Sequence, residues 1–442
     1  MTRSYFPDYW PEFVADCWER VPTVIPSGTP EPLATRDEVF RALLALGRQF
    51  RADADRPIDR PTFERSEMAE IRRGYVKLLI DHARLLGPVV ESYLPDARDR
   101  NLGDYINRLC SNAGSHGVML YVTDFQLYAP EIWLRACKFL KPLYERVGMP
   151  AGYADLELFM GRYDSTPGGA HRDRGTAFHF VIDGRKTMYV WPRPQFWSDE
   201  IFIGREFNPL CWRDHLGDAV ALEGGPGDIL YWAIDHWHVG GSPEFSVSLN
   251  IALYRHGCPT DFWRRALTRA IASPELGSYP FQLTARDARA DILPEEVRTV
   301  FATVRDRACY GAMEQAAIIE WLCLTTGFGF TTVPPRRPSC DLKESDTIVG
   351  RKDFPILWTT VVPRSFVYSA NGHSSSIPDN EQLPKFFEEL NQGRPVGIDT
   401  LVDRYSYDRV LPSSNCAAPH RSQLLSLLND LYTMRAIEKV AI

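Results

Sequence analysis

The feature that most constrains this chain is a change of period near Tyr153. Upstream, apolar residues recur at three-to-four spacing in DEVFRALLALGRQF, EMAEIRRGYVKLLIDHARLLGPVVESYL and APEIWLRACKFLKPLYERVG, which predicts helices. Gly148 stops the last of these, with Pro150 just beyond it. From ADLELFMGRY onward the pattern alternates, placing Leu156, Leu158 and Met160 on one face. AFHFVIDGRKTMYVWP reads as two short strands around an Asp183-Gly184 turn, and GDILYWAIDHWHVGG and FSVSLNIALYR add two more. Short strands punctuated by Gly and Pro predict a sandwich or a barrel.

Helical spacing returns from Thr260 to Leu324, in DFWRRALTRAIA, EEVRTVFATVRDRA and AMEQAAIIEWLCL. TTVPPRRPSCDLKESD reads as a linker. Beyond it, strand-like PILWTTVV and SFVYSANG precede helical LPKFFEELNQG and HRSQLLSLLNDLYTMRAIEKV, which predicts a winged-helix module at 330–442. A winged helix raises the question of DNA, and charge answers it. The whole chain carries a net charge of -7, and Cys340 to Ile442 holds eleven Lys and Arg against thirteen Asp and Glu. Such a surface does not neutralise phosphates, so the expected partner is protein and not nucleic acid. No apolar run is long enough to span a membrane, and no signal-peptide core opens the chain. The nine cysteines are odd in number and form no C-x-x-C pair, which points to reduced thiols in a cytoplasm.

GGAHRDRGTAFHFVIDGRK contains the letters H-R-D of a kinase catalytic loop. A kinase needs Asn five residues after that Asp; Phe178 stands there, and no D-F-G or glycine-rich loop accompanies it. His171 and Asp173 are two apart, so on an extended chain they point the same way and can share one ion. DHWHVGG offers His236 and His238, again two apart, as a third ligand. Two histidines and one carboxylate form the facial triad of non-haem Fe(II) sites. The bland alternative is a hydrogen-bonded histidine on a strand. Lys186 shares parity with Met188 and Val190; if that face is interior, its ammonium requires an anion, which a bound small molecule's carboxylate would supply. If the face is exterior, Lys186 is a solvated surface residue.

These stretches together resemble the Fe(II)/2-oxoglutarate-dependent oxygenases of the JmjC and cupin-like hydroxylase group. The resemblance rests on His171, Asp173, Phe178, Gly184 and Lys186, and on Gly227-Asp228-Ile229-Leu230-Tyr231 followed by His236-Trp237-His238 and SVSLNIALY. In the family the metal histidine lies seven residues past the Tyr, which selects His238 over His236. Tyr231-Trp232-Ala233 departs from the family, which carries a proline there. The N-terminal FPDYWPEFVADCWERVPTVI resembles the family's lead into the first barrel strand. With FVYSANGHSSSIP and LLSLLNDLYTMRAIE, the architecture is similar to that of the ribosomal oxygenases, which hydroxylate ribosomal protein side chains.

The resemblance implies an α+β fold: a double-stranded β-helix (jelly-roll or cupin) barrel with N-terminal helices, then a helical segment and a C-terminal winged-helix module. The implied domains are 1–258, with the barrel core at about 116–258, a helical 259–329 and a winged-helix 330–442. His171, Asp173 and His238 would hold Fe(II). Lys186 would pair with the far carboxylate of the co-substrate 2-oxoglutarate, a contact worth roughly 1.5–3 kcal/mol, with Ser248 and Asn250 adding hydrogen bonds. The implied reaction hydroxylates an amino-acid side chain in a protein or peptide, releasing succinate and CO₂. The alternatives are the same chemistry on a small molecule or carrier-bound amino acid, demethylation, and a non-catalytic metal-binding sensor. Trp191, Trp197, Trp232 and Trp237 wall the site or fill core, and Arg172 and Arg174 meet substrate or solvent. Val297, Val300, Phe301 and Val304 form a homodimer interface, as in the ribosomal oxygenases, or cap the barrel.

Overall fold

The computed structural model describes residues 5–28, 32–54, 75–86, 88–114, 116–166, 169–191, 209–255, 259–271, 302, 304–305, 310–361, 365–406 and 420–440. The chain divides into two compact units, Met1–Gly257 and Cys258–Ile442.

The first unit contains helices α1 (Tyr5–Asp16), α2 (Arg36–Ala54), α3 (Pro88–Tyr93), α4 (Leu102–Ala113) and α5 (Pro130–Val147). Its strands are β1 (Thr23–Ile25), β2 (Val76–Ile80), β3 (Ala83–Leu85), β4 (Val118–Val122), β5 (Tyr153–Tyr163), β6 (His171–Arg172), β7 (Thr176–Asp183), β8 (Lys186–Trp191), β9 (Val220–Gly224), β10 (Ile229–Trp232) and β11 (Trp237–Tyr254). All pair antiparallel, and β11 serves two sheets at once. Its first half, Trp237–Gly241, pairs with β6 and β8, and β8 continues to β9. Its second half, Ser246–Tyr254, pairs with β5 and β7, and β7 continues to β10 and β1. A register shift between Ser242 and Ser246 marks the crossing, and bulges of this kind bend a strand from one sheet to the next. A four-stranded and a five-stranded antiparallel layer sharing a bent strand make the expected double-stranded β-helix. β4, β2 and β3 extend the larger sheet beyond β5.

The strands around the Asp183-Gly184 turn do not pair with each other; each joins a different half of β11. Gly184 makes that parting possible. It sits at φ 70, and a Cβ there would lie 2.2 Å from the Phe245 carbonyl oxygen.

The period-two pattern of the barrel is apolar outward. Phe178, Phe180 and Tyr231 turn away from the barrel onto α1 and α5, where Trp10 and Phe139 lie 5.0 Å apart and Phe13 and Tyr231 4.7 Å apart. Leu156, Leu158 and Met160 are fully buried on this same side of β5. Such aromatic pairs add about 0.5–1.5 kcal/mol each beyond the area they bury. The inner face therefore receives the other parity, including Asp155, Glu157, His179, Ser248 and Asn250, all buried.

One expectation needs correction. EMAEIRRGYVKLLIDHARLLGPVVESYL is not one helix: β2 and β3 form a hairpin closed by Asp81 and His82, with φ 46 and 68, and only α3 is helical; 67–74 lie outside the described residues. A run of Val, Leu and Ile fits either period, and pairing with β4 decides it.

The second unit holds α6 (Pro259–Ile271), α7 (Tyr310–Thr326), α8 (Leu383–Asn391), α9 (Ile398–Tyr405) and α10 (Arg421–Thr433). Strands β12 (Thr347–Gly350), β16 (Val396–Gly397) and β17 (Ile437–Lys439) form one sheet; β13 (Leu357–Val361), β14 (Ser365–Ala370) and β15 (His373–Pro378) form another. Ile348, Phe366, Phe386, Leu401, Leu428 and Ile437 share one core. Leu322 of α7 packs on Val361 and Val367. Val297, Val300 and Phe301, and Trp197 of the first unit, lie outside the described residues. Among the described residues no helix is long and apolar enough to cross a membrane.

Candidate metal centre

β6 and β11 pair so that His171 and His238 stand directly opposite each other. Opposite residues of an antiparallel ladder share a face, and the two imidazoles lie 4.4 Å apart between centroids. Asp173, two residues past His171, returns to that face. Its Oδ2 lies 3.4 Å from His238 Nε2 and 3.9 Å from His171 Nε2. Among the described residues this is the one group of three or more ligating side chains, with ligand atoms all within 4.8 Å of one another.

The ring tautomers suit a cation. His171 Nδ1 lies 3.2 Å from the Gly169 carbonyl oxygen, and His238 Nδ1 lies 3.0 Å from that of His236. A carbonyl only accepts, so each Nδ1 carries the proton and each Nε2 lone pair is free to ligate. Burial, then the neighbouring His238 charge, pushes the His171 pKa below its ordinary value despite Asp173. Burial pushes the Asp173 pKa up, but the two adjacent histidines outweigh it and take it down to about 2, so the carboxylate is ionised. A His171 ring biased toward the neutral form and an ionised Asp173 are protonation states that ligation requires. His238 is 4% exposed in the barrel wall, whereas the His171 and Asp173 side chains are 42% and 52% exposed at the mouth. A cation held there is walled on one side and approachable on the other.

His236 does not join the group. β11 begins only at Trp237, and Asp235 sits at φ 62, so the two-residue alternation does not extend back to His236. It is buried, with Nδ1 3.2 Å from the Ile234 carbonyl oxygen and Nε2 unpartnered.

Lys186 is interior: 2% exposed. Its ammonium donates to Tyr163 Oη and, at 3.3 Å, to Ser242 Oγ. It lies 4.4 Å from the Tyr163 ring centroid and 6.0 Å from that of Phe159. No described carboxylate pairs with it. Opposite, a Cβ on Gly240 would touch Lys186 Cε at 3.5 Å and would displace the flexible Met188 end, whose Sδ would lie 2.6 Å away.

Ser248 and Asn250 share this inner face. Ser248 Oγ donates to the Phe159 carbonyl at 3.4 Å, and Asn250 Nδ2 donates to Glu157 Oε2 at 2.8 Å. Glu157 also accepts from Tyr121 Oη at 2.6 Å. Trp232 meets His238 at 5.0 Å and walls the centre, whereas Trp191 and Trp237 occupy a separate cluster with Trp212 on the opposite face. Arg172 and Arg174 are exposed, Arg172 lying 5.4 Å from the Trp237 ring centroid.

Sequence reasoning missed Tyr163, Ser242 and Ser246, the last two joined by a 2.7 Å hydrogen bond beside Lys186. Tyr163 had a signal: it shares parity with Glu157 and Phe159, opposite to the apolar face of β5.

No family model matches the chain, and no curated protein does. Among solved structures it is similar to YcfD, a ribosomal oxygenase from Escherichia coli, at 15% identity over 99% of each chain, with a TM-score of 0.48. The same protein in complex with cobalt and 2-oxoglutarate gives 15% identity over 99% of each chain and a TM-score of 0.47. A cupin superfamily protein from Desulfitobacterium hafniense gives 13% identity over 23% of this chain and 67% of its own, with a TM-score of 0.16. At these values the likeness assigns no activity, and the chemistry of the site has to.

Proposed function

We propose that the chain is an Fe(II)- and 2-oxoglutarate-dependent dioxygenase that hydroxylates an amino-acid side chain in a protein or peptide, with release of succinate and CO₂. The observation that carries this reading is Lys186: a buried ammonium with no described acidic partner, in the same barrel as the His171–Asp173–His238 group. A buried cation without a counter-charge is costly. An anion bound inside the barrel relieves that cost, and a metal site beside it has no need of one unless the anion is part of the chemistry.

The donor set fits the metal. Nitrogen, nitrogen and carboxylate oxygen on one face leave other positions open. When bound, Fe(II) supplies oxygen activation coupled to decarboxylation of the 2-oxo acid. The chain's own residues do the rest. Lys186, Tyr163 and Ser242 converge on a single point, suited to the far carboxylate of a dicarboxylic acid. Ser248 and Asn250 line the same face, and Asn250 Oδ1 has no protein partner, which supports a contact with a bound molecule. Trp232 and Met188, both buried, exclude water from the inner end. The half-exposed His171 and Asp173 support a substrate that approaches from outside, as a side chain on a protein does.

The second unit is proposed to serve contacts between proteins as a winged-helix module with a helical dimerisation segment. Trp263 on α6 and Trp321 on α7 are 50% and 55% exposed and line one groove with Met313, Ala317 and Ile318; an apolar face of this kind supports a homodimer.

The test is succinate formation from 2-oxoglutarate in the Fe(II)-loaded protein, with and without a pool of candidate peptides. Peptide-dependent turnover, lost in His171→Ala and Asp173→Ala, is the expected result. Turnover undiminished in His171→Ala removes the assignment.

A further inference from the structure

His179 is 2% exposed, yet neither of its ring nitrogens has a hydrogen-bond partner. It sits on β7 with Phe178 and Phe180 to either side, both turned outward onto helices, so His179 faces the barrel interior. There its ring lies 5.4 Å from Phe159 and 5.8 Å from Trp232. Its cross-strand neighbour on β11 is Asn250, whose Oδ1 is also unpartnered. Buried polar atoms without partners are uncommon, because each has given up hydration for nothing in return. Three on two neighbouring side chains of one inner face call for a ligand.

The position of His179 says which ligand. Phe159, 5.4 Å from the His179 ring, lies 6.0 Å from the Lys186 ammonium, and Trp232, 5.8 Å from the His179 ring, lies 5.0 Å from that of His238. It therefore shares one neighbour with the anion anchor and another with the metal group, and burial, then the Lys186 charge, holds its pKa well below the ordinary histidine value, which leaves a neutral ring with one N–H to donate. A 2-oxo dicarboxylate held by Lys186 at one end and by the metal at the other has to pass it.

We propose that His179 is a positioning residue for 2-oxoglutarate, donating its ring N–H to a carboxylate oxygen of the molecule held between Lys186 and His238. This inference rests on the oxygenase reading above.

The test titrates 2-oxoglutarate calorimetrically into the full chain loaded with redox-inert Mn(II). Wild type is compared with His179→Met and His179→Gln, two side chains of similar length of which only Gln keeps a donor. The expected result is an affinity about tenfold weaker in His179→Met and within about threefold of wild type in His179→Gln. Mn(II) affinity stays the same in all three. The thermal midpoint of metal-free His179→Met does not fall, because an apolar side chain replaces an orphaned polar one. His179→Phe, which keeps the ring contacts, enters the same comparison if the Met variant does not fold. Equal 2-oxoglutarate affinity in wild type and the donor-less variant overturns the inference and leaves the oxygenase reading standing. A parallel loss of Mn(II) affinity and thermal midpoint also overturns it, by showing a structural role. No 2-oxoglutarate binding in wild type overturns the oxygenase reading itself.

Discussion

His171 and His238 are 67 positions apart in sequence and stand face to face across one antiparallel pair, ring centroids 4.4 Å apart, each with Nδ1 held by a backbone carbonyl. The pairing is a consequence of the bend in β11, which brings Trp237–Gly241 under β6 and β8 while the rest of the strand stays in the larger sheet. Replacing His238 by Ala leaves that backbone intact and removes one of the three proposed ligands. Metal content after dialysis against Mn(II), measured by elemental analysis, is expected to fall at least tenfold, with the far-ultraviolet spectrum unchanged.

Lys186→Met separates binding from stability. The ammonium is buried without a described acidic partner, so its removal costs the ligand-free fold little and is expected to leave or raise its thermal midpoint. The KM for 2-oxoglutarate is expected to rise roughly tenfold to a hundredfold through loss of a charge-assisted contact. A lower midpoint with unchanged KM would assign Lys186 to the core.

Gly184→Ala is expected to destabilise the barrel by about 2–4 kcal/mol, read by chemical denaturation. Alanine is strained at φ 70, and its Cβ would fall 2.2 Å from the Phe245 carbonyl oxygen, which belongs to backbone and cannot step aside cheaply. Because Gly184 starts the turn that delivers Lys186, weaker 2-oxoglutarate binding is expected to accompany the loss.

The inner acids set a pH dependence. Burial, then the Glu157 charge, raises the Asp155 pKa well above the ordinary value. The folded state therefore holds a proton that the unfolded chain releases near pH 4. With more protons bound folded than unfolded, stability falls as pH rises from about 4 toward the folded pKa. Denaturation midpoints between pH 4 and pH 8 are expected to show this decline in wild type and a shallower one in Asp155→Asn, whose Oδ1 still accepts from the Asp124 N–H.

The grouping of His171 with Asp173 was legible because its information is local: a two-residue spacing on a strand fixes direction, and His-x-Asp carries it. The same rule offered His236 beside His238 and could not separate them, since the left-handed Asp235 that ends the alternation shows only in three dimensions. The barrel was legible from period and punctuation, but β2 and β3 were not, because Val-Lys-Leu-Leu-Ile satisfies a helix until β4 pairs with it. Lys186 was legible as a question of which face, and its burial settles that question. Tyr163 carried only its inner parity on β5, and Ser242 and His179 were not legible, because each matters through neighbours on other strands. An orphaned ring nitrogen has no signature in sequence.

The most direct measurement is an anaerobic titration of 2-oxoglutarate into the Fe(II)-loaded protein, followed by visible absorption. A metal-to-ligand charge-transfer band is expected to grow and saturate in wild type and to be absent in Asp173→Ala. A wild-type spectrum that never develops the band, or an Asp173→Ala spectrum that develops it in full, would contradict the assignment of these side chains to one cation and its 2-oxo acid.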